Sequence, residues 1–157
     1  MTEIGQSAPD FTLPATGGTQ VTLSALRPKT VVLYFYPKDD TPGCTIEAVD
    51  FSALADEFAA RNAVVLGVSR DDLESHEKFR VKFDLSIPLL SDTDGTVCQD
   101  YGVWVEKVNF GRKYMGIERT TFLIDDQGVV QRKWSKVRAK GHADEVLQAL
   151  PDRKSGA

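Results

Sequence analysis

Cysteine and histidine are scarce in this sequence, with two of each among 157 residues. The cysteines, Cys44 and Cys98, are too few and too far apart for the disulfide framework of a small secreted domain. Structural metal sites use several cysteine or histidine ligands at short spacing, and because no such spacing occurs here we expect no bound metal. A cysteine in such a chain is either a small buried residue or a reactive thiol.

The N-terminus lacks the pattern of a secretory signal, and the chain lacks an apolar run long enough to span a membrane. Its formal net charge is -4, which gives no reason to expect nucleic-acid binding. No glycine-rich phosphate loop is present, so no nucleotide cofactor is expected. These absences predict a cytoplasmic protein that has neither a membrane nor a nucleic acid as a partner.

No internal repeat, low-complexity segment or glycine–serine linker divides the chain. A chain of this length can bury a hydrophobic core without disulfides or metal ions. We therefore predict one domain over residues 1–151, followed by a frayed tail over residues 152–157.

Apolar patterns predict strands that alternate with helices. Uninterrupted apolar runs over 30–36 and 63–69 are typical of central strands covered on both faces. A helix that begins at Pro42 carries an apolar face as far as Phe58. This order predicts an α/β fold with a mixed central sheet and helices on both faces. The other predicted elements are a hairpin at Gly17-Gly18, a helix over about 72–84, a strand in "IPLLSD", a helical segment with Cys98, a hairpin turning at 126–128 and a last helix that stops at Pro151.

Cys44 ends the segment "YPKDDTPGC", directly after the first of these central strands. Thr41 suits the N-cap of the next helix and Pro42 suits its first position, so Cys44 falls in the first turn. There, unpaired backbone N–H groups and the helix dipole stabilise a thiolate relative to a thiol. A thioredoxin-type CxxC motif would need a second cysteine at Glu47, and none is present. From these residues alone, a reactive nucleophile and a small core cysteine remain equally open.

The segment "YFYPKDDTPGCTIE" resembles the active-site segment of the peroxiredoxins, whose Pro-x-x-x-Thr-x-x-Cys pattern falls here on Pro37, Thr41 and Cys44. The segment "DDTPGCT" is similar to the corresponding segment of the peroxiredoxin Q branch, also called the bacterioferritin-comigratory type. The resemblance implies a thioredoxin-like fold with an N-terminal β-hairpin and the activity of a thiol-dependent peroxidase. Further segments resemble that branch in the same order and extend the match over nearly the whole chain: "APDFTLP", "VLGVSRDD", "PLLSDTDGTVCQDYGVW" and "GIERTTFLIDDQGVV".

The resemblance also implies which residues form the site. Cys44 would be the peroxidatic nucleophile, and Arg119 would hold the thiolate and the peroxide oxygen with its planar, permanently charged guanidinium. Thr41 either only caps the helix or also hydrogen-bonds the sulfur and the peroxide. Pro37 would shape the loop and shield the sulfur from water. Glu47 either orients Arg119 through a salt bridge or is simply a favourable acid in a first turn.

The sequence departs from part of the family in how an oxidised Cys44 would be reduced. Many peroxiredoxin Q proteins carry a resolving cysteine five positions after the peroxidatic one, where this chain has Val49. Cys98 is a possible resolving residue, and the alternative is a one-cysteine cycle completed by thioredoxin or a glutaredoxin-type thiol. We expect a monomer without a cofactor. The competing functions are a disulfide oxidoreductase and a redox-sensing binding protein or holdase switched by Cys44 oxidation.

The remaining polar and aromatic residues have ordinary interpretations. We expect His76, His142, Asp39 and Asp40 to face solvent. Four other side chains form either an apolar collar near the active site or part of the core: Trp104, Phe110, Tyr114 and Met115.

Overall fold

A computed structural model describes residues 2–150. Within this range the strands are β1 (Thr12–Ala15), β2 (Thr19–Thr22), β3 (Thr30–Phe35), β4 (Ala63–Ser69), β5 (Leu89–Ser91), β6 (Trp104–Asn109), β7 (Arg112–Ile117), β8 (Thr120–Ile124) and β9 (Val130–Trp134). The α-helices are α1 (Pro42–Ala53), α2 (Ala55–Ala60), α3 (Leu73–Phe83), α4 (Thr96–Asp100) and α5 (His142–Ala149), and a 3-10 helix spans Leu23–Leu26.

Seven of the strands form one mixed sheet in the order β2-β1-β5-β4-β3-β8-β9. The strand β3 pairs in parallel with β4 and antiparallel with β8, and it is buried along almost its whole length, as its apolar run predicts. β1 and β2 form the predicted N-terminal hairpin, and β8 and β9 form the predicted late hairpin. The predicted α/β fold with a mixed central sheet is therefore confirmed.

The sheet separates two apolar cores, because successive side chains of a strand point to opposite faces. Tyr34 of β3 packs into a core shared with α1, α2, α3 and α5. The next residue, Phe35, packs into the other core, with α4 and the 3-10 helix. Cys44 belongs to the first core and Cys98 to the second. The two cysteines therefore lie on opposite faces of the sheet.

The single helix predicted from Pro42 through Phe58 is divided in the structure at Leu54, which separates α1 from α2. The predicted apolar face is retained, because Phe51 and Phe58 are both buried in the same core. No proline or glycine marks the break, so the apolar spacing alone could not reveal it.

β6 and β7 form a separate two-stranded antiparallel sheet that was not predicted. Charged residues interrupt both strands, and most of their side chains are at least partly exposed, so the apolar signal of the central strands is missing. Phe110 and Gly111 form the turn at the tip, with φ values of 53° and 76° that suit a tight hairpin turn. This hairpin immediately precedes Arg119.

The helices within residues 2–150 include none that is long and apolar enough to cross a membrane. The predicted helix end at Pro151 and the predicted frayed tail over 152–157 lie outside the described residues. The assignment of residues 1–151 to one domain stays a prediction.

Candidate active site

The first turn of α1 places Cys44 at the edge of the sheet where β3 ends. Thr41 has the extended backbone of an N-cap residue (φ -107°, ψ 157°), and Pro42 is the first helical residue, as predicted. The Cys44 side chain is buried, with a relative exposure of 1%. A sulfur in this position combines shelter from water with the positive end of a helix.

Thr41 occupies the N-cap, but its side chain does not cap the helix. The Thr41 hydroxyl makes no hydrogen bond to a helix N–H and instead donates to the carbonyl oxygen of Lys38, at 2.8 Å. Because its hydrogen is directed at Lys38, the Thr41 oxygen keeps its lone pairs for another donor.

Arg119, in the short link between β7 and β8, contacts both Cys44 and Glu47. Its Nη2 donates to Sγ of Cys44 at 3.3 Å, and its Nη1 donates to Oε1 of Glu47 at 2.7 Å. Burial alone would lower the pKa of Arg119, but the Glu47 carboxylate and the Cys44 sulfur raise it above its ordinary value. The guanidinium is therefore a permanent positive charge directed at the sulfur.

Glu47 is completely buried and forms the salt bridge with Arg119 that the sequence allowed. Burial raises the pKa of Glu47 to about 7, although the neighbouring guanidinium of Arg119 opposes the change. Only one of its oxygens is paired, because Oε2 has no hydrogen-bond partner among the described residues. The salt bridge to Arg119 therefore offsets only part of the effect of burial on this carboxyl group.

Gly43 makes room for the guanidinium. A Cβ atom at this position would lie 3.0 Å from Nη2 of Arg119, which is closer than an ordinary contact. The glycine of "TPGC" therefore allows Arg119 to approach the first turn of α1. This reason for a glycine could not be inferred before the fold was known, because Arg119 is 76 positions further along the chain.

The structure does not bring Cys98 to this site. Cys98 is fully buried in α4, and its backbone N–H donates to Oδ2 of Asp92 at 2.8 Å. Burial, together with a hydrogen bond to the Asp92 carboxylate, raises the pKa of the Cys98 thiol well above its ordinary value. Both cysteines are free thiols.

The predictions that Asp39, His76 and His142 face solvent were wrong. His76 has no exposed surface, because the helix α3 turns it towards β5, where its Nε2 lies 2.9 Å from the carbonyl oxygen of Leu90. Asp39 is buried against the same histidine. His142 is 2% exposed, because it packs between α1 and the sheet, and its Nε2 lies 2.8 Å from the Thr121 hydroxyl.

A sequence signal for His76 did exist. It precedes the buried Phe79 by three positions and so lies on the apolar side of α3. Asp40, by contrast, is exposed as predicted, and it forms a salt bridge with Lys82 at 2.8 Å.

One group of side chains has the composition of a metal site, since ligand atoms of Asp39, Asp71 and His76 lie within 4.8 Å of one another. These atoms already hold hydrogen bonds from protein groups, including the backbone N–H of Asp39 and the hydroxyls of Ser69 and Ser75. The hydrogen bonds are sufficient to explain why the three residues lie together.

The β6–β7 hairpin forms one wall of a groove beside the site. The groove has a volume of about 420 Å³ and reaches Pro37, which is exposed. Phe110 is fully exposed at the hairpin tip and does not line this groove, so it belongs neither to the collar nor to the core, the two alternatives that the sequence left open. The other residues proposed for the collar, Trp104, Tyr114 and Met115, do line the groove.

Comparison with known proteins gives one consistent result. The family model described as "AhpC/TSA family" matches residues 4–133. A putative peroxiredoxin Bcp of Coxiella burnetii is 52% identical over 148 residues, which cover 94% of this chain and 98% of that protein. Peroxiredoxin Bcp of Bacillus subtilis is 50% identical over 150 residues, or 96% of both chains.

Solved structures agree with this match. The structure of Xanthomonas campestris peroxiredoxin Q superposes with a TM-score of 0.85 at 48% identity, over 89% of both chains. A structure of PrxQ from Xylella fastidiosa superposes with a TM-score of 0.91 at 40% identity, over 96% of both chains. The resemblance to the Q branch and the thioredoxin-like fold that it implied are thereby confirmed.

Proposed function

The chain belongs to the AhpC/TSA family and is a thiol peroxidase of the peroxiredoxin type, and from this premise we propose that Cys44 is its peroxidatic nucleophile. The observation that carries the proposal is the hydrogen bond of 3.3 Å from Nη2 of Arg119 to Sγ of Cys44. A guanidinium in this position stabilises a thiolate and leaves further N–H groups for an incoming oxygen.

In the proposed step, the Cys44 thiolate attacks the terminal oxygen of a hydroperoxide. An S–O bond forms, the O–O bond breaks, and the leaving alkoxide or hydroxide takes up a proton to become an alcohol or water. Cys44 is oxidised to a sulfenic acid while the peroxide is reduced. Arg119, the Thr41 hydroxyl and the first backbone N–H groups of α1 stabilise the charge that moves from sulfur to oxygen.

Glu47 is proposed to orient Arg119 rather than to contact the peroxide. Its Oε1 holds Nη1 of the guanidinium and leaves Nη2 for the sulfur. Pro37 lies in the loop between β3 and α1, and it is proposed to shape that loop.

We propose hydrogen peroxide and alkyl hydroperoxides as substrates. A study of the Xanthomonas campestris relative describes alkyl peroxide reduction activity in that protein. The groove beside Pro37 supports the same substrate class here, because Trp104, Tyr114 and Met115 form an apolar part of its otherwise mixed lining that suits an alkyl group.

We propose a one-cysteine cycle, in which an external thiol reduces the sulfenic acid. Cys98 lies on the opposite face of the sheet from Cys44, whereas a disulfide requires Cα atoms within about 7 Å. Thioredoxin or a glutaredoxin-type dithiol is the proposed reductant, acting on a monomer. Since such thiols are kept reduced in the cytosol, the cytoplasm is the proposed location.

The relatives favour this enzyme over a redox-sensing binding protein or holdase, because the Coxiella burnetii and Bacillus subtilis proteins are named as peroxiredoxins. The proposal is tested by stopped-flow measurement of peroxide consumption by the reduced protein. Wild type and Cys98→Ser should consume one equivalent rapidly, and Cys44→Ser should consume none. A Cys44→Ser protein that reacts as fast as wild type would end the proposal.

A further inference from the structure

The carboxylate of Asp39, in the loop between β3 and α1, is held by three side chains. The Tyr36 hydroxyl donates to Oδ1 at 2.6 Å, and Ser75 Oγ and His76 Nδ1 each lie 2.7 Å from Oδ2. Burial alone would raise the pKa of Asp39, but hydrogen bonds from His76 and Tyr36 lower it below its ordinary value. The loop is thus attached to α3 through an ionised carboxylate.

His76 extends this attachment to the sheet. A carbonyl oxygen can only accept, so the nitrogen Nε2 that lies 2.9 Å from the Leu90 oxygen carries a hydrogen. The nitrogen Nδ1 lies on the other side of the ring, 2.7 Å from Oδ2 of Asp39. Both ring nitrogens are therefore engaged, one with the loop and one with β5, and the side chain is completely buried.

The peptide unit between Lys38 and Asp39 connects this attachment to the active site. Its N–H, on Asp39, donates to Oδ2 of Asp71 at 2.8 Å. Its carbonyl oxygen, on Lys38, accepts the hydroxyl hydrogen of Thr41 at 2.8 Å. Because a peptide unit is planar, fixing the direction of its N–H also fixes the direction of its carbonyl. Asp71 is held in turn by the Ser69 hydroxyl, at 2.8 Å.

We propose that Asp39, Asp71 and His76 are positioning residues that orient the Thr41 hydroxyl for the peroxide step. The Thr41 hydrogen is committed to the Lys38 carbonyl, so the Thr41 oxygen acts as an acceptor for the O–H group of the incoming hydroperoxide. A fixed acceptor accelerates the reaction because no reorientation is needed as the peroxide binds. This inference rests on the proposed function of Cys44.

Two substitutions of His76 separate its two contacts. His76→Asn keeps a donor near the position of Nδ1, facing Asp39, and loses the contact with Leu90. His76→Gln keeps a donor near the position of Nε2, facing Leu90, and loses the contact with Asp39. The second-order rate of Cys44 oxidation by hydrogen peroxide should stay near wild type in His76→Asn and fall roughly tenfold in His76→Gln. Equal rates in the two variants would overturn the inference.

A double-mutant cycle with Thr41→Val tests whether the effect passes through the hydroxyl. If it does, His76→Gln should cause no further loss of rate in the Thr41→Val background. Losses that multiply would mean that His76 acts only on general stability. The rates are measured well below the melting temperature of each variant, and Lys78→Gln, on the exposed side of α3, is the control that should react as wild type.

Two substitutions of Asp71 provide a second test in case the buried His76 variants do not fold. Asp71 is only partly buried, so its replacement is less disruptive to the core. Asp71→Ala removes the acceptor for the Asp39 N–H and should slow the peroxide step roughly tenfold, whereas Asp71→Asn keeps an acceptor oxygen and should restore most of the rate. An Asp71→Ala rate equal to wild type would contradict the inference. If the wild type itself consumed no peroxide, the proposed function would fail instead.

Discussion

Nη2 of Arg119 lies 3.3 Å from Sγ of Cys44, although the two residues are 75 positions apart in the chain. The contact depends on the order of the elements, since β8 is antiparallel to β3 and so begins at the edge of the sheet where β3 ends and α1 starts. The link before β8 carries Arg119, and the first turn of α1 carries Cys44. The pairing of β3 with β8 therefore brings the guanidinium to the sulfur.

Replacing Arg119 by lysine should impair the peroxide step although the charge is kept. An ammonium group cannot hold Glu47 and Cys44 at once in the planar geometry of the guanidinium. We expect the second-order rate with hydrogen peroxide to fall roughly tenfold or more, from one lost charge-assisted hydrogen bond. Alkylation of Cys44 by iodoacetamide near neutral pH should slow as well, because the thiolate is less stabilised. If both rates matched wild type, Arg119 would have only a structural role.

Gly43→Ala should produce a similar defect without removing any polar group. The added Cβ would meet Nη2 of Arg119 at 3.0 Å and push the guanidinium away from the sulfur. We expect the rate of peroxide consumption to fall roughly tenfold while the helix itself is preserved, because alanine is a good helix former. Val49→Ala, on the exposed side of the same helix, is the control and should react as wild type. A Gly43→Ala protein with the wild-type rate would show that the site tolerates a displaced guanidinium.

Glu47 should make the stability of the fold depend on pH. Its pKa in the folded protein is about 7, above its ordinary value of 4.5, so the folded state binds this proton more tightly than the unfolded state. The resulting stabilisation is complete below about pH 4.5 and is lost as the pH rises through 7. Relative to Glu47→Gln, we expect wild type to lose on the order of 3 kcal/mol of unfolding free energy across this window.

Urea unfolding at pH 4.5, 5.5, 6.5 and 7.5 measures this difference. Glu57→Gln, an exposed substitution on α2, should follow the wild-type curve. Parallel curves for wild type and Glu47→Gln would show that Glu47 titrates in the folded protein much as it does in the unfolded chain.

The parts of the site that depend on local sequence could be predicted, and the parts that depend on distant contacts could not. Thr41, Pro42 and Cys44 were placed correctly at the start of α1, because helix capping involves neighbouring residues. Arg119 was identified only through the family resemblance, since nothing in its own surroundings distinguishes it from a surface arginine. The burial of His76 was missed because its polar partners come from other elements.

A one-cysteine cycle predicts that Cys98 is dispensable for turnover. Cys98→Ala should reduce hydrogen peroxide at the wild-type steady-state rate with thioredoxin and its reductase, because the external dithiol attacks Cys44 directly. Without a reductant, both proteins should be over-oxidised readily to the sulfinic acid at Cys44. Loss of thioredoxin-driven turnover in Cys98→Ala would instead assign Cys98 to the cycle.

The most direct test of Cys44 as the nucleophile of a one-cysteine cycle is mass spectrometry of the intact wild-type protein after one equivalent of hydrogen peroxide, with a sulfenate-specific probe and a non-reducing peptide map. The proposed one-cysteine cycle predicts one probe per chain, attached to Cys44, with Cys98 still a free thiol. A stoichiometric Cys44–Cys98 disulfide would contradict the one-cysteine cycle, and a probe attached to Cys98 in place of Cys44 would contradict the assignment of the nucleophile itself.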